Sequence, residues 1–162
     1  MAKSVTWLNK PNDTRYFYPA DDNWEHKMLP IIASVAIAEG AAVAPQISSN
    51  DVTGNITLAT VENANGADFV GIMSEPIVST DADYATAGKM KGVRVPKNNL
   101  AKAYFYVGAG TFTAADVFKS VEIHSDSLGL AVDTKGKGAR IVEYLSSTRG
   151  ICQFSMPNTE TA

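Results

Sequence analysis

Short runs of alternating apolar and polar residues, separated by turn-forming residues, fill most of the chain after residue 28. NITLATV at 55–61 places Ile56 and Leu58 on one face, and MKGVRV at 90–95 alternates in the same way. Glycine, asparagine and proline stand between the runs, a spacing that predicts strands joined by turns. Because no segment of ten or more residues has a 3.6-residue apolar period, the pattern predicts an all-β barrel or sandwich.

Individual segments give more specific expectations. LAKAYFYVG at 100–108 is apolar or aromatic on both faces, which favours a central strand. SVAIA at 34–38 predicts a strand with Val35 and Ile37 on one face. Residues 48–55 and 79–89 are polar and rich in small residues, so we predict loops there. TAADVF at 113–118 predicts one helical turn at most.

Two segments of the chain are similar to each other. GADFVGIMS at 66–74 has a near copy in GARIVEYLS at 138–146, and the similarity extends upstream to IAEGAAVAP at 37–45 and FTAADVFKS at 112–120. Each unit predicts the same order of strands and turns. A spacing of roughly seventy residues therefore indicates a possible internal duplication, in which two related β units form one barrel domain with few open sheet edges.

The first 27 residues differ from the rest, with both tryptophans, two prolines and neither a helical period nor a clean alternation. We predict an extended aromatic arm over residues 1–27, a β-barrel domain over 28–156 and a C-terminal tail over 157–162. Large aromatic rings are favoured anchors at interfaces, so we assign five of them to partner contacts: Trp7, Tyr16, Phe17, Tyr18 and Trp24. The alternative is that the arm folds back on its own domain.

Composition and charge narrow the function classes. The chain has 162 residues, of which 45% are hydrophobic and 19% charged, with a net charge of −3. This length and hydrophobic fraction are sufficient for one domain with a hydrophobic core. No Lys/Arg run is present, so nucleic-acid binding is not expected. The apolar stretch at 28–38 is too short to span a bilayer. Without a signal-peptide pattern at the start, we expect a soluble protein made in a cytoplasm.

The sequence contains little recognisable chemistry. Its one cysteine, Cys152, is flanked by alternating apolar residues, which predicts a buried strand thiol. Glu122, His124 and Asp126 share a face of one predicted strand, but their spacing is weak support for a metal site. No phosphate-binding, dinucleotide-binding or nucleophile-elbow motif is complete. We therefore expect no catalytic residue, no metal and no cofactor, and hence not an enzyme.

Several short motifs resemble the capsid decoration, or cement, proteins of tailed bacteriophages. They are AEGAAV at 38–43, ITLAT at 56–60, ADFVGIM at 67–73 and GARIVEYL at 138–145, with Val70-Gly71-Ile72 matching the family's short V-G-I element. The resemblance covers roughly residues 28–156. The aromatic arm and the 79–99 insertion depart from the family pattern.

The resemblance implies a small β-barrel of the β-tulip-like kind, often a homotrimer. Such a protein, assembled in the host cytoplasm, binds the outer surface of the capsid and stabilises the expanded shell by bridging major capsid protein subunits. The arm aromatics would then contact the capsid or a neighbouring copy. The alternative is a head-fibre or other receptor-contacting virion domain, for which residues 79–89 are the candidate loop. A third reading is a small β-barrel enzyme or ligand-binding module, which needs a pocket with convergent polar groups.

Overall fold

The computed structural model describes residues 16–48, 51–59 and 69–154, which form eleven strands and one 3₁₀ turn. The all-β prediction is confirmed. The strands are β1 (Tyr18–Pro19), β2 (Trp24–Ile31), β3 (Ala42–Ser48), β4 (Asp51–Leu58), β5 (Gly71–Met73), β6 (Lys89–Pro96), β7 (Ala103–Ala109), β8 (Ser120–Ile123), β9 (Leu130–Lys135), β10 (Ala139–Ser146) and β11 (Arg149–Phe154). The 3₁₀ turn, Ala114–Asp116, precedes β8.

Five strands close on themselves in the order β2-β4-β3-β5-β6, and we call this ring the first barrel. Strand β2 pairs antiparallel with β6 along its whole length, from Trp24 opposite Pro96 to Ile31 opposite Lys89. The ring closes between the parallel strands β2 and β4, where Ile31 lies opposite Ile56. Strand β2 therefore pairs with β4 over far fewer residues than it does with β6.

The second sheet has the order β1-β7-β11-β10-β8-β9, and β7 also pairs with β9. The five strands β7 to β11 thus form a second ring of pairings, which we call the second barrel, and β1 adds outside it. Strand β7 pairs with β1, β11 and β9. The prediction that the 100–108 segment forms a central strand is therefore confirmed.

The two rings have the same connectivity. In each ring the second strand pairs antiparallel with the third and fourth, the fifth pairs antiparallel with the fourth and first, and the first runs parallel to the third. This agreement supports the predicted internal duplication. One detail differs: the quoted 112–120 segment holds the 3₁₀ turn, and strand β8 begins only at Ser120.

The core has two parts, and β3 lies between them. Ala41 and Val43 pack inside the first barrel with Ile31, Met73 and Val93. Their neighbours Ala42 and Ala44 join the other cluster, which fills the second barrel. Because successive residues of a strand point to opposite faces, the all-apolar AAVA segment is buried on both faces.

Four aromatic side chains, Phe17, Trp24, Phe69 and Phe154, form what we call the aromatic seam between the two barrels. The rings of Phe69 and Phe154 stack with centroids 3.8 Å apart, and Phe17 meets Phe154 edge-on at 5.0 Å. Trp24 contacts both Phe69 and Phe154 edge-on, and its indole N–H donates to the carbonyl of Lys102 at 2.9 Å. The seam thus joins residues of the first barrel and the N-terminal segment to the last strand of the second.

The seam corrects the predicted boundary of the arm. Residues 18–19 and 24–31 form β1 and β2, so the 16–27 part of the predicted arm belongs to the folded body. The aromatic rings bury more apolar area against their own chain than an extended segment would, which favours the alternative in which the segment folds back. Residues 1–15 and the predicted tail at 157–162 lie outside the described residues.

Two local expectations are also corrected. The predicted 48–55 loop is largely strand, because β4 begins at Asp51 and pairs with the end of β3. The 34–38 segment is irregular, with one bridge from Ile37 to Ile77, although Val35 and Ile37 do both face the first core. Most of the 79–89 segment is a loop as predicted, and β6 begins at Lys89.

The aromatic seam gives a stability prediction. Phe154→Ala removes a 6%-exposed ring that touches three other aromatic rings. We expect the free energy of unfolding to fall by about 3–5 kcal/mol, measured by chemical denaturation. Leu100→Ala, at a residue that is 64% exposed, is the control and should change it by less than about 1 kcal/mol. Equal effects of the two variants would contradict the seam's role.

Candidate partner-binding hairpin

The β3–β4 hairpin extends beyond the first barrel. Strand β5 pairs with β3 only at Ala42 and Val43, and β2 pairs with β4 only at Ile56. Among the described residues, 46–48 and 51–54 therefore pair only with each other. The outer edges of this segment are therefore unpaired, and a strand of a partner can pair with them. An isolated two-stranded hairpin is marginally stable in water, so such pairing would also stabilise the segment.

One face of the hairpin carries an exposed apolar pair. Ile47 and Val52 lie opposite each other across the two strands, and they are 41% and 63% exposed. The Oγ1 of Thr53 donates to Oε1 of Gln46 at 2.8 Å, which links the strands through polar groups. Asp51 to Gly54 are all exposed. The hairpin therefore resembles a free β arm rather than a part of the core.

Local sequence explains how the hairpin leaves the barrel. The register between β3 and β4 shifts between Pro45 and Ile47, where a bulge lets the strands change direction. Pro45 has no backbone N–H, so it favours a sheet edge over a sheet centre. Gly54 has φ +88°, a conformation that side chains disfavour. A bulge and a positive φ both turn the strands where barrel pairing ends.

The predicted interface aromatics lie elsewhere. Phe17 and Tyr18 are 0% and 5% exposed and are buried against their own chain, so the structure corrects their assignment to a partner surface. Trp24 is partly buried in the aromatic seam, and Tyr16 is half-buried at the rim of a cleft. Trp7 lies outside the described residues, so its assignment stays a prediction.

A polar cluster that the sequence analysis missed lies on the outer face of the first barrel. His26 Nε2 and Ser74 Oγ are 3.2 Å apart, and the N–H of Gly92 donates to Oε2 of Glu75 at 2.7 Å. A side chain at Gly92 would collide with both His26 and Ser74. Glu75 Oε2 accepts its hydrogen bond from the backbone N–H of Gly92. The cluster is therefore a Ser–His pair with a carboxylate nearby, and it is not a Ser–His–carboxylate triad. His26 and Ser74 are too far apart in sequence to form a motif.

The predicted Glu122, His124 and Asp126 face separates into local contacts. His124 Nδ1 lies 2.9 Å from Oδ1 of Asp126, within a turn in which the same oxygen accepts from the N–H of Leu128. Among residues 16–48, 51–59 and 69–154, no three His, Cys, Asp or Glu side chains are placed to hold a metal ion.

The 79–88 loop is fixed by charged groups. Lys89 is 6% exposed, and its Nζ donates to the carbonyls of Ile32 at 2.7 Å and Tyr84 at 2.9 Å. Lys91 and Asp83 form an ion pair at 3.0 Å. This hydrogen-bonded pair lowers the pKa of Asp83 and raises that of Lys91. Burying Lys89 is favourable only because its ammonium is satisfied by carbonyls, so the loop and the barrel depend on each other.

Comparisons with known proteins give no family. The chain matches no protein-family model, and no curated protein matches it. Within the described part of the chain, no helix has the length and apolar character that crossing a membrane requires.

Burial determines the reactivity of the chain's one cysteine thiol. Cys152 lies on β11 with 0% exposure, as the sequence predicted, and desolvation raises the pKa of its thiol. We expect Cys152 not to react with a thiol reagent at neutral pH until the protein unfolds, because the thiolate is the reactive form. The check is the labelling rate with and without denaturant. Fast labelling of the native protein would contradict the position of β11.

Asp116 gives a pH prediction. Lys119 Nζ lies 2.7 Å from its Oδ1 and the Thr113 N–H donates to its Oδ2 at 2.8 Å, so both contacts lower the pKa of Asp116. A lowered pKa adds stability above the ordinary value of 3.8 that is lost as pH falls through the folded value. Asp116→Asn should lower the free energy of unfolding by about 1 kcal/mol at neutral pH, and the deficit should shrink in acid.

The measurement is denaturant unfolding from neutral pH into acid. Asp22→Asn, at an exposed position, is the control and should leave the stability difference near zero throughout. A deficit for Asp116→Asn that stays constant in acid would show that the carboxylate charge is not the cause.

Proposed function

We propose that this chain is a structural virion protein that binds the outer surface of a phage capsid and stabilises the expanded shell by bridging major capsid protein subunits. The observation that supports it best is the projecting β3–β4 hairpin, with its unpaired edges and its exposed Ile47–Val52 pair. The resemblance to capsid decoration proteins supplies the partner, the homotrimer and the location. The proposed role is mechanical, without catalysis or a cofactor.

The hairpin suits this role through strand addition. An extended segment of a partner can pair with an open strand edge, where backbone hydrogen bonds give affinity and alternate side chains give specificity. Fully burying an exposed aliphatic side chain contributes about 1.5–3 kcal/mol, and Ile47 and Val52, at 41% and 63% exposed, would each contribute a part of that. Contacts of this size hold a shell when many copies act together, because linked sites bind with increased effective concentration.

The N-terminal arm keeps a part in the proposal, but a smaller one. Phe17 and Trp24 are packed in the aromatic seam, so these two rings bind a partner only if the seam opens. Residues 1–15, with Trp7, remain the proposed capsid clamp. A test by truncation must therefore stop at residue 15, because removing β2 takes away one of the five strands that close the first barrel.

The binding prediction uses two substitutions on one face of the hairpin. Ile47→Thr with Val52→Thr keeps residues that favour strands and removes apolar surface. We expect the apparent affinity for expanded, undecorated capsids to fall at least about tenfold, measured by co-sedimentation with purified shells. The midpoint of thermal unfolding should stay within a few degrees because both side chains are exposed.

Leu100→Thr is the matched control, since Leu100 is 64% exposed on a loop outside the hairpin. Its binding should equal that of the parent protein. If the parent protein binds no capsid at any stage of expansion, the proposed function is wrong. If the hairpin variant binds like the parent, the function stands but the hairpin is not its contact surface.

A further inference from the structure

Phe118 is held in a conformation that a bulky side chain rarely adopts. Its φ is +74°, in the left-handed region, and its side chain is 67% exposed. An aromatic residue gains no burial there to offset the backbone strain. Strained residues with exposed side chains are frequent at functional positions, and the inference runs from the observed outlier to a role.

The surroundings fix Phe118 in place. Its backbone N–H donates to the carbonyl of Ile141 at 2.7 Å. Thr113 and Asp116 form a capping box around the preceding 3₁₀ turn. The guanidinium carbon of Arg140 lies 5.4 Å from the centroid of the Phe118 ring. The ring is therefore presented rigidly, with a cation against it, which lowers the entropy lost on binding.

A cleft of complementary character lies on a different part of the same chain. It has a volume of about 590 Å³, and its lining is largely small or aliphatic. The side chains that matter most here are Ala36, Ala38, Leu58, Ile77, Glu39 and Asp126. Two carboxylates thus border an apolar cleft, whereas Phe118 is an apolar knob beside an arginine. Phe118 is not part of the lining.

We propose that Phe118 of one copy of this chain inserts into this cleft of a second copy, with Arg140 facing the Glu39 and Asp126 border. The arginine beside the apolar knob is opposite in charge to the two carboxylates that border the apolar cleft, which favours a second copy as the occupant. The two surfaces differ, so the contact is head to tail and either closes into a ring or continues as a filament. This inference deepens the self-association in the proposed function and does not depend on capsid binding.

Nucleic acid is a poorer fit for the same knob. Stacking on single strands needs a basic groove beside the aromatic ring. Lys119, next to Phe118, is paired with Asp116 at 2.7 Å, and the whole chain has a net charge of −3. The surroundings of the ring therefore supply too little free positive charge for a phosphate backbone.

The test mixes two full-length variants, Ala115→Cys and Ala36→Cys, under mild oxidation and without capsids; Ala115 is exposed on the 3₁₀ turn three residues before Phe118, so the Phe118 ring and Arg140 are kept. Cys152 is buried and does not compete. We expect a disulfide-linked dimer that forms at least about ten times faster than in the control mixture of Leu100→Cys with Ala36→Cys, because a bound geometry raises the effective concentration. Equal rates in the two mixtures, or fast linking of Ala115→Cys to itself, would overturn the head-to-tail contact.

A second measurement separates binding from folding. Phe118→Gly relieves the strain at φ +74°, so its midpoint of unfolding should stay equal or rise by a few degrees, while its assembly by sedimentation shifts to the monomer. Loss of stability would show that Phe118 serves the fold. A monomeric parent protein up to roughly 1 mM, or tight binding of a single-stranded oligonucleotide through Phe118, would also overturn the proposal.

Discussion

Residues 42–44 of strand β3 have no face toward solvent, and the rest of the structure depends on that constraint. Val43 points into the first barrel while Ala42 and Ala44 point at the second. Alanine lets two sheets approach closely, and a larger side chain on that face would overpack it. Two hydrogen bonds then join the barrels: the N–H of Ala42 donates to the carbonyl of Ser127, and the Ser127 hydroxyl donates to the carbonyl of Ala59. A one-residue slip of β3 would exchange its two cores, so its register is strongly specified.

The aromatic seam is a second contact between the two barrels, next to the contact made by Ala42 and Ala44. Beyond the small-residue contact, the stacked rings of Phe69 and Phe154 fill the joint, and Phe17 and Trp24 pack on them. Phe17 and Trp24, two of the aromatic residues near the N-terminus, therefore form a joint within one chain. The same property, large area buried with few rotatable bonds, makes aromatic rings effective between chains, and composition alone does not separate the two uses.

The sequence predicted features that depend on local pattern. Most of the strands after residue 28, the central position of the 100–108 segment, the limit of one helical turn at 113–118 and the buried Cys152 follow from neighbouring residues. It did not predict the strand at residues 51–54, because Asp51 and Gly54 are turn-forming residues and the segment pairs only within the hairpin. Nor could it locate the His26–Ser74 pair, since only the closed barrel brings β2 beside the end of β5.

The two barrels have the same topology but different surfaces. The first barrel carries the projecting hairpin and most of the apolar cleft, and the second carries Phe118 in its strained turn. Each of these features lowers the stability of an isolated chain, by exposing strand edges and apolar groups or by straining the backbone. A doubled fold can keep both because the shared β3 core and the aromatic seam stabilise the barrels independently of them. On the proposed function, one surface is left for the shell and another for the neighbouring copy.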